Sequence, residues 1–351
     1  MSGITLRLDG DRWREHLQTV VLATPGVVPV IKGNGYGYGL VRLAEESAKL
    51  GVDTIAVGMA DEVAVVRDHF DGDIVILTPF SRDNPVAVEL AVDPRVITTV
   101  SHIDDLSVVA ALGERPRVQV EVLTSMRRHG LPPSDLARVA PLLDRVRFEG
   151  WTIHLPLLAE GRYAEAERLS RAALAVREAP LWLSHLPAEE AQSLAVQLGG
   201  AGAPPVPMRL RVGTRLWLGD PSTRRATATV LDVHRVGRGE RAGYRQRVVP
   251  TDGWIVVVSG GTSHGIGLEA PTAASTLRQR AISVATGSLE AAGFALSPFT
   301  LGGKKRWFLE PPHMQSSLLF LPRRTTPPAV GDEVPVELRL TTATVDHIVT
   351  D

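Results

Sequence analysis

A lysine closes the first long apolar run of the chain, and a glycine-rich loop follows at once: Ile31-Lys-Gly-Asn-Gly-Tyr-Gly-Tyr-Gly39. A lysine at the mouth of an apolar interior loses its proton readily, and the free amine can then form an imine with a carbonyl compound. A solvated surface lysine in front of a glycine loop would have the same local sequence, so Lys32 alone leaves both readings open. Other polar residues also stand at or near the ends of apolar runs: His154 after Trp-Thr-Ile, Ser184 after Leu-Trp-Leu, and Arg211 within Met208–Val212. A structural histidine, a strand-end serine and an inward ion pair would each account for one of them. The chain has no cysteine. That excludes disulfides, Cys-ligated zinc, iron–sulfur clusters and thiol nucleophiles together.

Regular elements must position these residues. Eight short apolar runs recur through the first two-thirds: Val27–Ile31, Thr54–Val57, Ile74–Leu77, Val96–Val100, Val118–Val122, Phe148–His154, Leu181–His185 and Met208–Val212. Amphipathic stretches lie between them. In Tyr163–Val176, Leu169, Ala172, Ala173 and Val176 fall at the spacing of one helical face. Eight β-then-α units predict a (β/α)8 barrel of the TIM type over residues 1–225, with the catalytic face at the C-terminal strand ends. Pro29 sits inside the first run and lacks a ladder donor, which makes that strand the weakest of the eight. From residue 226 to 351 the pattern changes to runs without regular helices between them: Thr227–Val236, Gln246–Val249, Trp254–Val258, Trp307–Leu309, Leu318–Leu321 and Val334–Leu340, with one helix expected at Ala281–Ala292. This α/β chain is therefore expected to end in a smaller, mostly β C-terminal domain.

Composition narrows the partners. The 351 residues are 44% apolar, enough for a sizeable core, and 38 basic side chains nearly balance 39 acidic ones. A net charge of −1 gives no electrostatic reason to expect a nucleic acid or an anionic membrane. No apolar run approaches the ~20 residues that span a bilayer. The N-terminal stretch is charged from Arg7 onward, without a signal-peptide core, and a cytoplasmic location is the expectation.

The motif K-x-N-x-Y-G-x-G after the first strand resembles the signature of alanine racemases and their relatives, the pyridoxal-phosphate barrel enzymes. Further segments in the expected order extend the resemblance over nearly the whole chain, and identify a divergent member. It implies that Lys32 carries pyridoxal 5'-phosphate as an imine, and that Tyr36 helps hold the cofactor phosphate. Thr124-Ser-Met-Arg-Arg-His-Gly130 is similar to T-G-M-G-R-x-G, so Arg128 is expected to contact the cofactor's ring oxygen and the substrate carboxylate, a task suited to a planar guanidinium. Glu121 stands near the place of a carbamylated lysine and is expected to orient Arg128. His154 matches a histidine packed near the pyridine ring, and Ser184 a phosphate-binding serine. Arg211-Val-Gly-Thr-Arg-Leu-Trp217 resembles R-P-G-I-A-L-Y. There Arg211 donates to the pyridine nitrogen, while the N–H groups of Gly213 and Thr214 complete a phosphate cradle. An arginine leaves that nitrogen largely unprotonated, which favours rapid proton exchange over transamination.

In the second domain, Gly239–Arg247 resembles G-x-x-V-x-Y-G-x-T. The resemblance makes Tyr244 the second catalytic base, reaching the active site of a partner subunit in a homodimer with composite sites. Two segments depart from the family. G-Y-A-D-G becomes Val258–Gly267, and M-D-Q becomes His313-Met314-Gln315, which keeps the substrate-contacting methionine as Met314. The family's last tyrosine aligns best with His347. The implied activity is a two-base amino-acid racemase acting on a small amino acid through Lys32 and Tyr244, with no metal. Three alternatives share the fold or the cofactor. A decarboxylase of this class usually uses a C-terminal cysteine, and a D-amino-acid lyase or aldolase a His/Cys metal site; this chain has neither cysteine. The third is a non-catalytic cofactor-binding protein.

Overall fold

The computed structural model describes residues 2–113, 115–157, 160–268 and 295–351. Its contacts form two compact units. One is Arg14–Gly219; the other joins Met1–Trp13 to Asp220–Asp351.

Strand β1 (Ile4–Leu8) belongs to the second unit. The first unit is a closed parallel barrel of eight strands: β2 (Val27–Ile31), β3 (Thr54–Val57), β4 (Asp73–Ile76), β5 (Val96–Val100), β6 (Arg117–Val122), β7 (Arg147–His154), β8 (Leu181–Ser184) and β9 (Met208–Val212). Each expected run is a strand, to within one residue at either end. Most of them form strands because they are short apolar runs rich in β-branched residues, buried on both faces and bounded by turn residues, whereas β6, β7 and β9 interleave charged or polar side chains with apolar ones. Pro29 is accommodated where β2 changes partners. Val27–Pro29 pair with β9 and Val30–Ile31 with β3, so the missing N–H falls at the switch. The helix Arg162–Leu174 buries Ala166, Leu169, Ser170 and Ala173. This face is turned from the one expected, with Ala166 and Ser170 in place of Ala172 and Val176.

Val28, Val30, Ala56, Val75, Ile97 and Trp182 pack inside the barrel. Charged pairs close its N-terminal floor. Arg117 donates to Asp73 (2.6 Å) and Glu149 (2.7 Å), and Arg209 pairs with Asp53 (2.6 Å) while its guanidinium lies 5.1 Å above the Trp182 ring.

In the second unit one sheet runs in the order Ser316–Pro322, Gly253–Ser259, β10 (Arg224–Val236), β1 and His347–Thr350, with Glu333–Pro335 also paired to β10. Ile4, Val230, Val256, Phe299 and Leu319 lie in its core. Residues 1–13 thus group with this sheet rather than with the barrel, unlike the expected 1–225 and 226–351 division. The cause is the pairing of Ile4–Leu8 with Ala228–Arg224. The expected Val334–Leu340 strand is shorter because the chain leaves β10 after Val336, and the Glu337 N–H donates to Pro298 O instead. Leu296–Leu301 pairs with Lys304–Trp307, which takes the place of the expected Trp307–Leu309 strand. His347 Nε2 lies 3.2 Å from Ser2 O. The expected helix Ala281–Ala292 lies outside the described residues. Among the described residues no helix is long and apolar enough to cross a membrane, and no group of three His, Asp or Glu could hold a metal ion.

Candidate active site

Strand register brings three of the expected residues onto one rung. His154 on β7 pairs with Ser184 on β8, Ser184 with Arg211 on β9, and Arg211 with Val28 on β2. Laterally paired residues share a face of the sheet. Val28 is part of the interior cluster, so this face points into the barrel near its C-terminal mouth.

Arg211 is buried. Its Nη2 donates to Ile153 O (3.3 Å), while Nε has no hydrogen-bond partner among the described residues. Burial pulls its pKa down to about 10; the Glu121 carboxylate opposes that shift and Arg128 adds to it. A buried guanidinium N–H without an acceptor is costly, and it suits an acceptor such as an aromatic ring nitrogen.

Lys32 follows β2 directly and keeps solvent exposure. Even so, protein atoms crowding its amine lower its pKa, Arg128 and Arg211 lower it further, and Glu62 raises it. Next to it, Tyr36 adopts φ +55° in the Gly35–Gly37 turn and is buried, which pushes its phenol up to about 12. The phenol therefore stays protonated and remains a donor. A Cβ on Gly213 would lie 2.1 Å from Tyr36 Oη, so only glycine allows this approach. Trp217 Nε1 donates to Val30 O (2.8 Å) and holds the following turn, Thr214–Leu218, against β2. A hydroxyl against Gly213, where the turn Thr214–Leu218 begins, can join backbone N–H groups in the kind of donor set that phosphate takes. With the free Arg211 Nε and an amine of lowered pKa at Lys32, these residues fit pyridoxal phosphate.

His154 is held neutral by burial first, then by Arg211, Arg128, His185 and Lys32, which together lower its pKa to about 2. Its ring meets that of His185 edge to face at 5.0 Å. The loop that carries Arg128 is tied down at its start: Thr124 Oγ1 donates to His154 O (2.9 Å), while Ser125 N and Oγ donate to Glu165 (2.6 and 2.8 Å). Arg128 itself is exposed. Glu121 is buried and accepts from Ser101 Oγ (3.0 Å); its charge acts on Arg211. The expected Glu121–Arg128 hydrogen bond is not formed among the described residues, because Glu121 faces into the barrel beside Thr152, its β7 partner.

Sequence reasoning missed Glu62 and His185 here. Glu62 reads as an ordinary acid in the first turn of the helix Asp61–Val66. His185 directly follows Ser184, and its φ of +63° could not be read from its type.

In the second unit, Tyr244 tops a short hairpin and is 86% exposed. A buried carboxylate that sequence reasoning also missed, Glu310, holds the hairpin. It accepts from Tyr244 N (3.0 Å), Arg245 N (3.1 Å) and His313 Nε2 (2.7 Å). Gly243 has φ +76°, and a Cβ there would lie 2.3 Å from that carboxylate. The His313 ring packs 4.4 Å from the Tyr244 ring. Met314 is exposed. The two segments that depart from the family pattern support each other: Thr262 N donates to His313 O (2.8 Å), Ser263 N to Met314 O (3.0 Å) and Ser263 Oγ to Met314 O (2.6 Å). His264 is pinned by Asp346 at 3.1 Å.

Three comparisons bear on this architecture. The family profile described as "Alanine racemase, N-terminal domain" matches residues 8–196. An alanine racemase of Desulfovibrio desulfuricans is 30% identical over 157 residues, 42% of this chain and 42% of the relative. One from Thioalkalivibrio sulfidiphilus is 34% identical over 160 residues, 42% of this chain and 43% of the relative. The matched segments thus span well under half of either relative's length. Among solved structures, alanine racemase from E. faecalis superposes with a TM-score of 0.70 at 21% identity, covering 95% of this chain and 88% of that one. The Bartonella henselae alanine racemase, solved with covalently bound pyridoxal phosphate, gives a TM-score of 0.68 at 16% identity, covering 96% and 91%. At these identities the structural likeness establishes the fold.

Proposed function

The chain belongs to the alanine racemase family through its match over residues 8–196, and we propose that it is a pyridoxal-phosphate-dependent racemase of a small amino acid. The observation that carries this reading is the barrel mouth: a lysine of lowered pKa beside a buried arginine with a free Nε and a Tyr36–Gly213 contact that only glycine permits. Bound pyridoxal phosphate supplies electron withdrawal that acidifies the α-C–H of an amino acid joined to it.

The rest is the work of the chain's own residues. Lys32 would hold the cofactor, and its amine would take or return the α-proton on one face. Arg211, through its unpartnered Nε, would donate to the ring nitrogen. Tyr36 and the N–H groups of Gly213 and Thr214 bind phosphate, with Ser184 as a further donor. His154, neutral down to about pH 2, packs against the ring without adding charge. Arg128 receives the substrate carboxylate, and Met314 lines the substrate's side. Glu121 supports Arg211 through its charge. Tyr244 acts on the opposite face and comes from the second subunit of a homodimer. Net inversion leaves one proton more on Lys32 and one fewer on Tyr244, or the reverse, and exchange with solvent resets the pair.

Incubation with each L-amino acid in deuterated water tests the reading. Exchange of the α-proton with inversion is expected for at least one small amino acid. Release of carbon dioxide or of an oxo acid instead would assign the chain to a decarboxylase or lyase.

A further inference from the structure

We propose that Glu62 is the positioning residue of Lys32: it ties together the two loops that frame the lysine and keeps a negative charge beside its amine. The proposal rests on the reading of Lys32 as the cofactor-bearing lysine. Glu62 is 8% exposed, and its carboxylate accepts three backbone N–H bonds, from Gly33 (2.7 Å), Gly58 (2.6 Å) and Met59 (3.2 Å). Gly33 directly follows Lys32. Gly58 and Met59 follow β3, whose Val57 pairs with Ile31. One carboxylate therefore joins the loops after two adjacent barrel strands at the point where Lys32 emerges. Gly58 marks how close the approach is, since a Cβ there would lie 3.0 Å from Glu62 Oε2 and 3.0 Å from Lys32 Cβ.

The charge has a second effect. The cations acting on Lys32 are Arg128 and Arg211, and Glu62 is the anion that opposes them. His154 and His185 also lie within range of the lysine, but burial and the same arginines lower their pKa values and favour their neutral forms. The phenol of Tyr36 stays protonated to about 12. An amine that must be free to attack a carbonyl, and must also carry a proton during exchange, needs a pKa that is lowered but not abolished. Two guanidiniums and desolvation push in one direction, and Glu62 limits the shift.

The test needs neither cofactor nor amino acid. Lys32, Lys49, Lys304 and Lys305 are the only lysines of the chain, so trace acylation with acetic anhydride across pH, read by mass spectrometry, gives Lys32 with three internal controls. Removing the Glu62 charge lowers the ammonium pKa further. Glu62→Gln should therefore move the Lys32 midpoint down by about half a unit to one unit, roughly three- to tenfold in amine reactivity below the midpoint. Glu62→Asp should restore the midpoint, with the other three lysines unchanged in both variants. If Glu62→Gln does not fold, Gly58→Ala carries the test. Its methyl parts Lys32 from Glu62 while keeping every charge, and should shift the midpoint in the same direction. An unshifted Lys32 midpoint in a folded variant overturns the proposal and leaves Glu62 as a loop tie alone. That outcome would leave the racemase reading standing, and failure to find racemisation would leave the acylation result intact.

Discussion

The barrel carries buried arginines at both ends, and they are treated differently. On the floor, Arg117 is clasped by Asp73 at 2.6 Å and Glu149 at 2.7 Å. At the mouth, Arg211 has a backbone carbonyl on Nη2, no acceptor on Nε and no carboxylate within bonding distance among the described residues. A buried charge left partly unmatched costs stability unless something else repays it. The floor is finished structure. The mouth gathers Lys32, Arg128 and Arg211 beside two histidines whose lowered pKa values keep them neutral, and on the reading proposed above that charge is there to meet an anionic, acceptor-bearing ligand.

The sharpest way to break this contrast is to remove each arginine. Arg117→Leu strands Asp73 and leaves Glu149 with Arg147 alone (2.9 Å), and should lower unfolding free energy by about 3 kcal/mol, measured by urea denaturation. Arg211→Leu should leave stability equal or higher, yet slow α-proton exchange by roughly 10–100-fold through loss of a charged hydrogen bond. Equal destabilisation by both would erase the distinction between floor and mouth.

A smaller effect is expected at Gly213. In Gly213→Ala the added Cβ meets Tyr36 Oη, which lies 2.1 Å from its ideal position. The phenol must swing away, and affinity for pyridoxal phosphate should fall roughly tenfold, the value of one lost hydrogen bond, in an absorbance titration. Undiminished affinity would mean that Tyr36 does not contact the phosphate.

The pH dependence of stability is the mildest probe. The unfolded chain protonates His154 below about 6.5, whereas the folded chain resists protonation until about 2. Folding is therefore unaffected by this group above pH 6.5. Between 6.5 and 2 stability falls with acidification, by at most about 1.4 kcal/mol per pH unit from this residue. His154→Gln should flatten that slope in melts taken between pH 4 and 6.5. An unchanged slope would show that the imidazole is solvated.

The barrel was readable because eight short segments, most of them apolar runs between turn signals, recur along two-thirds of the chain and admit few architectures. Strand β1 was not, since Ile4–Leu8 is short and its partners lie beyond residue 223. Lys32 stood out by its place before a glycine loop, but its expected role and that of Arg211 came from the resemblance of the motifs around them. Glu62 and Glu310 were not legible, because each works by accepting N–H groups from loops distant in sequence, and nothing in an Asp-Glu or Leu-Glu pair announces that. Glu121 was found, but its partner was mistaken: strand alternation turns it inward to Ser101 Oγ and the field of Arg211.

The central claim is that the barrel mouth exists to hold pyridoxal phosphate on Lys32, and one measurement addresses it directly. The purified chain, reconstituted with pyridoxal phosphate and reduced with borohydride, should lose its yellow absorbance and yield a single phosphopyridoxyl peptide at Lys32. The same mass appearing on Lys49, Lys304 or Lys305, or on no lysine at all, would contradict the account.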